Sequence, residues 1–292
     1  NLEVTLGGKP YKGYPAFSAP DEFLTAIHDA GFNVLVTANN HSLDRGKSGL
    51  ERTIQLIDSL KIPHAGTYIN TEERDKKYPL LLEKNGFRIA LLNYTYGTNG
   101  IPVTPPNIVN YIDTTVIAKD IEESKAMKPD AIIACMHWGI EYQSLPSKKQ
   151  KFLADWLLQK GVDHVIGSHP HVVQPIEVRE DSLTKEKHLV VYSLGNYISN
   201  MSARRTDGGL MVRMELVKDS TIRLNHCEYS LVWTARPIQS GKKNHQLLPI
   251  NLPSDSIPVN ARNSLRIFTN DARTLFNKHN QGIKEYLFYK KK

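Results

Sequence analysis

Near-continuous apolar runs alternate with segments of helical periodicity along the first two thirds of the chain. The segment that carries Leu50, Ile54 and Ile57 predicts an amphipathic helix that ends before Pro63. Four apolar runs have the composition of strands that are buried on both faces: NVLVTA, FRIALLNYT, AIIACMH and DHVIG. This alternation predicts an α/β fold whose strands are at least partly parallel.

Polar residues mark where the predicted helices begin. Asp113 is placed to cap the segment TTVIAKDIEESKAMK. Three further pairs have the spacing of a capping box: Ser18 with Asp21, Ser48 with Glu51, and Ser147 with Gln150. Each of these positions therefore predicts the first turn of a helix.

The pattern changes after residue 186, where strand-like runs follow one another without helices between them. We expect a second, antiparallel portion there. The C-terminal part combines a loop with one helical pattern, ARNSLRIFTNDARTLFNKHN. The chain is accordingly divided into a main domain over 1–235 and a C-terminal extension over 236–292, a loop and a helix that pack on that domain.

Composition is that of a globular chain, with 40% hydrophobic and 23% charged residues and no apolar run near the roughly 20 residues that span a membrane. The formal net charge of +7 favours an acidic partner. Apart from GKKNH and the terminal run Lys290–Lys292, the basic residues are scattered, so a solvated surface is preferred and nucleic acid is not an expected partner. Cys135 and Cys227 stand in contexts typical of structural thiols.

Three of the apolar strands end in loops that carry histidine. His41 lies in NNHSLDRG, His137 in HWGIEY, and His169 and His171 in SHPHVVQP. Open α/β sheets bind ligands beyond the carboxyl ends of their strands, so we expect these four side chains to meet in one constellation. Neutral imidazole is a common ligand for zinc, manganese and iron, and carboxylate or amide oxygens complete such sites.

The H-x-H pair at His169 and His171 is predicted to form a two-ligand clip. Alternate residues of an extended chain share a face, Pro170 stiffens the link, and Gly167 with Ser168 allows close approach. Any one of these histidines alone would be explained as a hydrogen-bonded core or loop residue. Six other histidines lack a strand-end context and are interpreted as structural or surface residues: His28, His64, His188, His226, His245 and His279.

The segment that contains Asn40, His41 and Asp44 carries a second signal. An Asn amide oxygen can bind a metal, and a neighbouring His that is not a ligand can donate a proton to a substrate or leaving group. Asp44 either orients that imidazole or begins the next turn. Glu141 has a similar ambiguity between orienting a ligand and lying on the surface, and Asn196 in SLGNYIS either lines a cleft or forms a turn.

Five blocks in this order resemble the CapA-type capsule (poly-γ-glutamate) synthesis proteins, a branch of the calcineurin-like metallophosphoesterase superfamily. The blocks, which lie within about residues 1–200, are NLE, ANNHSLDRGKSG, HWGIEYQSLPSKKQ, GVDHVIGSHPHVVQP and YSLGNYIS. The resemblance implies a four-layer α/β/β/α sandwich that holds two divalent metal ions, Mn, Zn or Fe. It also implies roles for matching residues: Glu3 as the bridging acid where the superfamily usually has Asp, His41 as the catalytic partner, and Asn40, His137, His169 and His171 as ligands. Asp44 joins His41 as a catalytic candidate through its spacing and not through the resemblance.

The family's first block, a strand that ends in Gly-Asp, has no counterpart in this sequence. We expect that strand upstream of Asn1, together with a leader or membrane anchor, because members of the family usually sit at the outer face of the membrane. The alternative is that this member never had the block and keeps the fold as a non-enzyme. An extracytoplasmic, envelope-associated location is therefore implied by the resemblance.

The resemblance leads to two competing functional hypotheses. One is metal-dependent hydrolysis of a phosphoester or of a polyanionic polymer such as poly-γ-glutamate, in the company of capsule-synthesis membrane partners. The other is a capsule-assembly or polymer-binding protein that keeps the fold without turnover, since fold alone does not fix function.

Overall fold

The structure is a computed structural model that describes residues 1–219, 222–239 and 241–289. The chain divides into two compact units, of which unit 1 comprises Asn1–His137 with Gln159–Val162, and unit 2 comprises Trp138–Leu158 with Asp163–Lys292. The predicted division at residue 235 stays a prediction, and the terminal run Lys290–Lys292 lies outside the described residues.

Unit 1 alternates short strands with helices, as the apolar pattern of the sequence predicts. Its elements in chain order are α1 (Asp21–Asp29), β1 (Leu35–Val36), α2 (Gly46–Ser59), β2 (His64–Ala65), β3 (Thr67–Tyr68), α3 (Thr71–Lys77), β4 (Leu80–Lys84), β5 (Phe87–Thr95), β6 (Ile108–Val109), α4 (Thr114–Ala126) and β7 (Ala131–His137).

Parallel strand pairs bring the polar ends of unit 1 strands into register. Strand β5 pairs in parallel with β7 over its whole length, from Ile89 opposite Ala131 to Thr95 opposite His137. Strand β1 pairs in parallel with β2. Strand β4 pairs antiparallel with β5, and β3 pairs antiparallel with β6. The core beneath contains the predicted apolar face of α2, including Leu50, Ile54 and Ile57, in agreement with the helical period.

Unit 2 opens with a helix and then becomes rich in strands. Its elements are α5 (Lys148–Gln159), β8 (His164–Ser168), β9 (Ile176–Glu180), β10 (Lys187–Val191), β11 (Gly208–Lys218), β12 (Ile222–Ala235), β13 (Ile238–Gln239), β14 (Lys242–Lys243), β15 (Gln246–Pro249), a 3₁₀ turn (Ser254–Ser256), α6 (Val259–His279) and β16 (Lys284–Glu285).

The strands of unit 2 fall into two main groups. Strand β10 pairs in parallel with β8 and antiparallel with β9, whereas β11, β12 and β15 are antiparallel neighbours and β16 adds to β12. The apolar side of α6, with Leu265, Phe268, Ala272 and Phe276, packs into the core of this unit. The predicted antiparallel portion after residue 186 and the C-terminal helix are both present.

The α/β fold class is confirmed, and so are two of the predicted helix starts. Asp113 accepts hydrogen bonds from the backbone N–H groups of Thr115 and Val116. Ser147 and Gln150 form a reciprocal capping box, with the N–H of each bonded to the side-chain oxygen of the other.

The other two predicted helices are present, but their predicted caps are wrong. Ser18 donates its hydroxyl hydrogen to the Gly8 carbonyl, and α1 begins after Pro20 without a side-chain cap. Helix α2 begins at Gly46, one turn before the expected position, so that Ser48 lies inside its first turn. At Ser18 a polar residue of the right spacing is thus used by other structure. Within the described residues, none of the helices combines the length and apolarity that a membrane crossing requires.

Candidate metal centre

Asn40 and His137 meet at the ends of two strands of unit 1. The loop that follows β1 carries Asn40, and β7 ends at His137. Asn40 Oδ1 lies 2.8 Å from His137 Nε2, and its Nδ2 donates to Asn99 Oδ1 over 3.1 Å. This second bond orients the amide so that the oxygen, the atom able to bind a metal, faces the histidine.

Glu3 adds a carboxylate to the same place. Its Oε1 lies 3.7 Å from His137 Nε2, and its Oε2 accepts from Asn1 Nδ2 over 3.0 Å. The ring of Tyr96 stacks on the His137 ring at a centroid distance of 6.2 Å and an angle of 9°. Amide oxygen, carboxylate oxygen and imidazole nitrogen converge here, a donor set that suits a divalent transition metal. We call Glu3, Asn40 and His137 the first ligand set.

The proton on His137 follows from its neighbours. Asn1 Nδ2 lies 3.3 Å from His137 Nδ1, and an amide nitrogen can only donate, so Nδ1 accepts. The ring hydrogen is then on Nε2 and is donated to Asn40 Oδ1. A cation at Nε2 would require the other tautomer, with the ring hydrogen on Nδ1, because a neutral imidazole binds a metal through its unprotonated nitrogen.

His41 and Asp44 form a pair in the loop between β1 and α2. Asp44 Oδ2 lies 2.7 Å from His41 Nδ1 and also accepts the backbone N–H of Phe17 at 2.7 Å. Both side chains are buried, and the Phe17 ring packs edge-on against the imidazole. A carboxylate can only accept, so Nδ1 carries the hydrogen and Nε2 is left for chemistry. The Asp44 carboxylate therefore contacts His41 as an orienting residue would, and its backbone N–H also closes a turn onto the His41 carbonyl, so both alternatives describe part of its geometry.

Asparagine side chains that the sequence analysis overlooked hold this loop. Asn39 donates to the carbonyls of Leu2 and Thr37 at 2.8 and 3.1 Å and accepts the His41 N–H at 3.0 Å. Asn93 on β5 accepts the Ala38 N–H at 2.7 Å. Asn39 therefore holds the loop to Leu2 and Thr37, and Asn93 holds it to β5. In the sequence, the repeated asparagine of NNH was the one indication of this role.

Cys135 lies two residues before His137 on β7 but does not add a ligand. It is a free thiol, and burial raises its pKa to about 11. Since the thiolate is the form that binds metals, this side chain is inert there at neutral pH. Cys227 is also a free thiol, so the prediction of two structural cysteines is confirmed.

In unit 2, His169 and His171 follow directly on strand β8, which ends at Ser168. The chain is not extended there: His169 has φ 101° and His171 has φ 59°, both in the region that non-glycine residues rarely adopt. The expected extended clip is therefore wrong in its backbone geometry. The two rings nevertheless lie close, with centroids 5.8 Å apart. Strained residues of this kind concentrate at ligand sites.

Glu141 joins the two histidines of unit 2 in a possible metal-binding group. One ligand atom from each of Glu141, His169 and His171 lies within 4.8 Å of the others, and Glu141 Oε1 is 3.9 Å from His171 Nε2. We call these three residues the second ligand set. The Glu141 side chain is 42% exposed, whereas His169 is buried, so the carboxylate reaches the histidines from the solvent side.

Asn196 fixes the orientation of His171. Its Oδ1 lies 3.1 Å from His171 Nδ1, and its Nδ2 donates to the Thr206 carbonyl over 2.8 Å, which sets the amide orientation. Nδ1 of His171 therefore donates, and Nε2 is left to bind a cation. Asn196 contacts a ligand side chain in addition to following the Gly195 turn.

Close packing supports the strained loop. A Cβ on Gly167 would lie 2.2 Å from the Tyr192 carbonyl oxygen and 2.5 Å from Trp138 Nε1, so only glycine fits there. Gln174 is fully buried and donates to the carbonyls of Gln143 and Leu145. Its oxygen accepts from the Gln150 side chain. These bonds fasten the loop after Trp138, which carries Glu141, to the segment after His171.

The predicted site residues therefore fall into two local groups, and their union in a single constellation stays a prediction. The six histidines interpreted as structural or surface residues are absent from the metal-binding groups found among the described parts of the chain. His64 is buried with its Nδ1 3.7 Å from an Asp58 oxygen, and His226 lies 3.0 Å from Glu228. Both contacts are ordinary structural pairings.

Comparison with known proteins finds one family along most of the chain. The profile of the bacterial capsule synthesis protein family PGA_cap matches residues 1–201. The chain is similar to the capsule biosynthesis protein CapA of Bacillus anthracis, with 31% identity over 215 residues that cover 71% of this chain and 50% of the relative. It is also similar to the PGA biosynthesis protein CapA of Bacillus subtilis (strain 168), with 30% identity over 206 residues, or 69% and 52% of the two chains. The chain thus spans about half the length of these relatives.

Solved structures give weaker likenesses. The NAD nucleotidase of Haemophilus influenzae aligns with 91% of this chain and 45% of its own, at a TM-score of 0.48 and 11% identity. The calcineurin-like phosphoesterase YfkN of Bacillus subtilis aligns with 85% of this chain and 72% of its own, at a TM-score of 0.45 and 15% identity. Scores this low carry no conclusion about mechanism.

Proposed function

The chain belongs to the bacterial capsule synthesis protein family PGA_cap, and from that premise we propose that it is a metal-dependent hydrolase of the metallophosphoesterase type that acts in capsule biosynthesis. The substrate class is a phosphoester or a polyanionic polymer such as poly-γ-glutamate. The proposal includes an extracytoplasmic, envelope-associated location and capsule-synthesis partners in the membrane. It treats the chain as one part of such an activity, since the match covers only about half the length of the curated relatives.

The observation that supports this proposal best is the convergence of three kinds of donor atom at His137. Its Nε2 lies 2.8 Å from Asn40 Oδ1 and 3.7 Å from Glu3 Oε1. The first ligand set would hold a divalent cation, and the histidines of the second ligand set offer further imidazole ligands. Bound divalent cations supply Lewis-acid stabilisation of the negative charge that develops on a substrate in hydrolysis.

His41 is the residue that we assign to proton transfer. Asp44 accepts the hydrogen on Nδ1, which leaves Nε2 as the atom at which a proton is held and passed to a leaving group. Burial of both side chains keeps water from competing for the Nδ1 hydrogen bond. The fixed ring orientation lowers the entropic cost of presenting Nε2 to the substrate.

A non-catalytic polymer-binding or capsule-assembly role is the second candidate. The exposed position of Glu141 and the presence of Glu3 in place of the usual superfamily Asp favour it, because both weaken the match to a complete hydrolase centre. In that role the ligand sets would retain a cation that bridges carboxylates of an anionic polymer without cleaving it.

Turnover by metal-loaded protein separates the two candidates. The chain is loaded with Mn²⁺, Zn²⁺ or Fe²⁺ and assayed against p-nitrophenyl phosphate, its diester and poly-γ-glutamate. The hydrolase proposal expects turnover that falls about 10²-fold or more in His41→Ala while metal content stays constant. His28→Ala, a half-exposed histidine of the same unit, is the matched control. Metal binding without turnover on any substrate would contradict the hydrolase and support the polymer-binding role.

A further inference from the structure

A cavity of about 250 Å³ lies within unit 2, between α6 and the segment that follows the H-x-H pair. Val172, the residue after His171, and Val173 form one wall, and Ser144 from the loop that carries Glu141 forms another. The lining residues contributed by α6 are Phe268, Asp271, Ala272, Thr274, Leu275, Lys278 and His279. The cavity therefore borders the chain segments that carry the second ligand set, but contains none of its members.

The floor of this cavity is apolar, with Val172, Val173, Phe268 and Leu275 among its residues. Its volume is below the roughly 300–1,000 Å³ of pockets for drug-sized ligands. It can therefore hold one or two residues of an extended chain, and it is too small for a folded partner. The floor suits methylene groups in particular, because their removal from water against apolar side chains is favourable.

The rim of the cavity is cationic. Arg205 and Lys278 line it. Arg204, the residue before Arg205, bonds to the carboxylate of Asp271, which also lines the cavity. Asp271 is the only acidic lining residue among those described, and it accepts two bonds of 2.7 Å from Arg204 and one of 3.4 Å from Arg205. Hydrogen bonding from Arg204 lowers the pKa of Asp271, so that carboxylate is ionised. The three cations outnumber the one anion, so the rim has a net positive charge.

Helix electrostatics explain only part of this charge. Lys278 and His279 occupy the last turn of α6, where cations stabilise the helix dipole. Arg204 and Arg205 come from a separate loop, and Arg205 holds a left-handed backbone with φ 73°. Their guanidinium groups are half or more exposed, so their remaining donors face solvent at the mouth of the cavity.

We propose that this cavity is a binding subsite for an anionic chain that carries carboxylates on methylene spacers. The carboxylates would engage Arg205 and Lys278, and the methylene groups would pack on Val172 and Leu275. Because Val172 follows His171 directly, a chain held here is presented beside the second ligand set. The site is a place of attachment and has no part in the metal chemistry, so it can exist whether or not the protein is a hydrolase.

Binding of a short fluorescein-labelled γ-linked glutamate oligomer, followed by anisotropy at about 0.15 M salt with protein that has been stripped by EDTA and dialysed free of it, tests this proposal. EDTA removes any contribution from bound metal and prevents turnover, so the result is independent of the hydrolase assay. Lys278→Gln should weaken binding about threefold to fivefold, as expected for one exposed charge. Thr274→Glu, which places a carboxylate at an exposed lining position, should weaken it at least about tenfold through like-charge repulsion.

Two variants on α6 control for net charge. Arg266→Gln and Ser264→Glu change exposed positions of the helix that do not line the cavity. Both should bind the oligomer within about twofold of the unchanged chain, because screened charges far from the ligand contribute little. Equal weakening by controls and cavity variants would overturn the subsite, and so would failure of the unchanged chain to bind. Equal affinity for a neutral γ-linked glutamine oligomer would also contradict it.

Discussion

The first and second ligand sets are positioned by different means. In the first set, side-chain amides fix the ligands: Asn99 orients Asn40, and Asn39 and Asn93 tie the loop to its strands. In the second set, backbone strain does so, since His169 and His171 both have positive φ. Amide networks tolerate small shifts by adjusting hydrogen bonds, whereas a strained turn is held only by the packing around it.

This difference has a consequence for metal binding. The first ligand set lies on the ends of paired strands, so its geometry should persist without a cation. The second set depends on a loop clamped by Gly167 and Gln174, and one of its members, Glu141, is exposed. We therefore expect the first set to be the preorganised part, with the tighter intrinsic affinity, and the second to become ordered as it binds.

Removal of one imidazole from each set is expected to have the largest effect. His137→Ala and His169→Ala should each abolish metal binding in their own ligand set after reloading, a loss well above the roughly 10- to 100-fold that an outer-shell change costs, because each removes a direct ligand. Inductively coupled plasma mass spectrometry measures the metal content. If His169→Ala alone removes all metal, the two sets depend on each other; loss of about half would mean that they bind separately.

Matched histidine variants keep this test specific. His28→Ala in unit 1 and His226→Ala in unit 2 replace residues outside the metal-binding groups and should retain the full metal content. Unchanged stoichiometric metal in both His137→Ala and His169→Ala would contradict the ligand assignment, provided that circular dichroism shows both variants to be folded.

Asp44→Asn tests the pair beside the first ligand set. The amide keeps the shape of the carboxylate, and the Phe17 N–H holds its oxygen toward His41 Nδ1, but the variant loses the negative charge that stabilises the protonated imidazole. Turnover should fall about 10²- to 10⁴-fold while metal content and KM stay close to their original values. Asp29→Asn, at an exposed carboxylate near His28, should leave turnover unchanged. Loss of metal in Asp44→Asn would show that the residue acts on the ligand loop instead of on proton transfer.

The sequence pattern predicts the strands that deliver the site because those strands are buried on both faces. The runs FRIALLNYT and AIIACMH correspond to β5 and β7 residue for residue. The run NVLVTA gives only the two-residue β1, because Asn93 bonds to Ala38 and ends the ladder there. Short partners such as α3 and β9 carry too few apolar positions to reveal a period.

Within the site, residue types were predictable but their geometry was not. Histidines at strand ends indicated ligands, and the spacing of His41 and Asp44 allowed the observed pair. The backbone at His169 and His171 could not be read from the sequence, since only glycine signals positive φ by its identity. The contact of Asn196 with His171 joins residues 25 apart, a pairing that local periodicity does not encode.

Acid should destabilise unit 2 through His164, which lies on β8 just before the strained loop. Burial lowers the pKa of His164 to about 4 from 6.5, and its Nδ1 accepts the Leu189 N–H. Between these values the unfolded chain binds a proton that the folded chain does not, so stability is complete above about pH 6.5 and falls as the pH drops toward 4. At about pH 4.5 the loss should reach about 2–3 kcal/mol.

Urea unfolding followed by tryptophan fluorescence measures this effect, since all three tryptophans, Trp138, Trp156 and Trp233, belong to unit 2. The difference in the free energy of unfolding between about pH 7 and about pH 4.5 should shrink in His164→Asn, which keeps an acceptor for the Leu189 N–H. His226→Asn, at an exposed histidine, should leave that difference unchanged. An identical pH dependence in His164→Asn would refute the role of this residue.

The smallest expected effect comes from Asn196, the one amide that orients a ligand of the second set. Asn196→Ala removes the acceptor of the His171 Nδ1 hydrogen, so the ring can rotate and metal affinity should fall about tenfold. Asn196→Asp keeps an acceptor and should restore most of the affinity, whereas Asn225→Ala, at an exposed position of β12, should change nothing. Metal titration in competition with a chelator gives the affinities. If Asn196→Ala matches the unchanged chain, packing of the strained loop alone orients His171, and the contrast with the amide-held first set becomes sharper still.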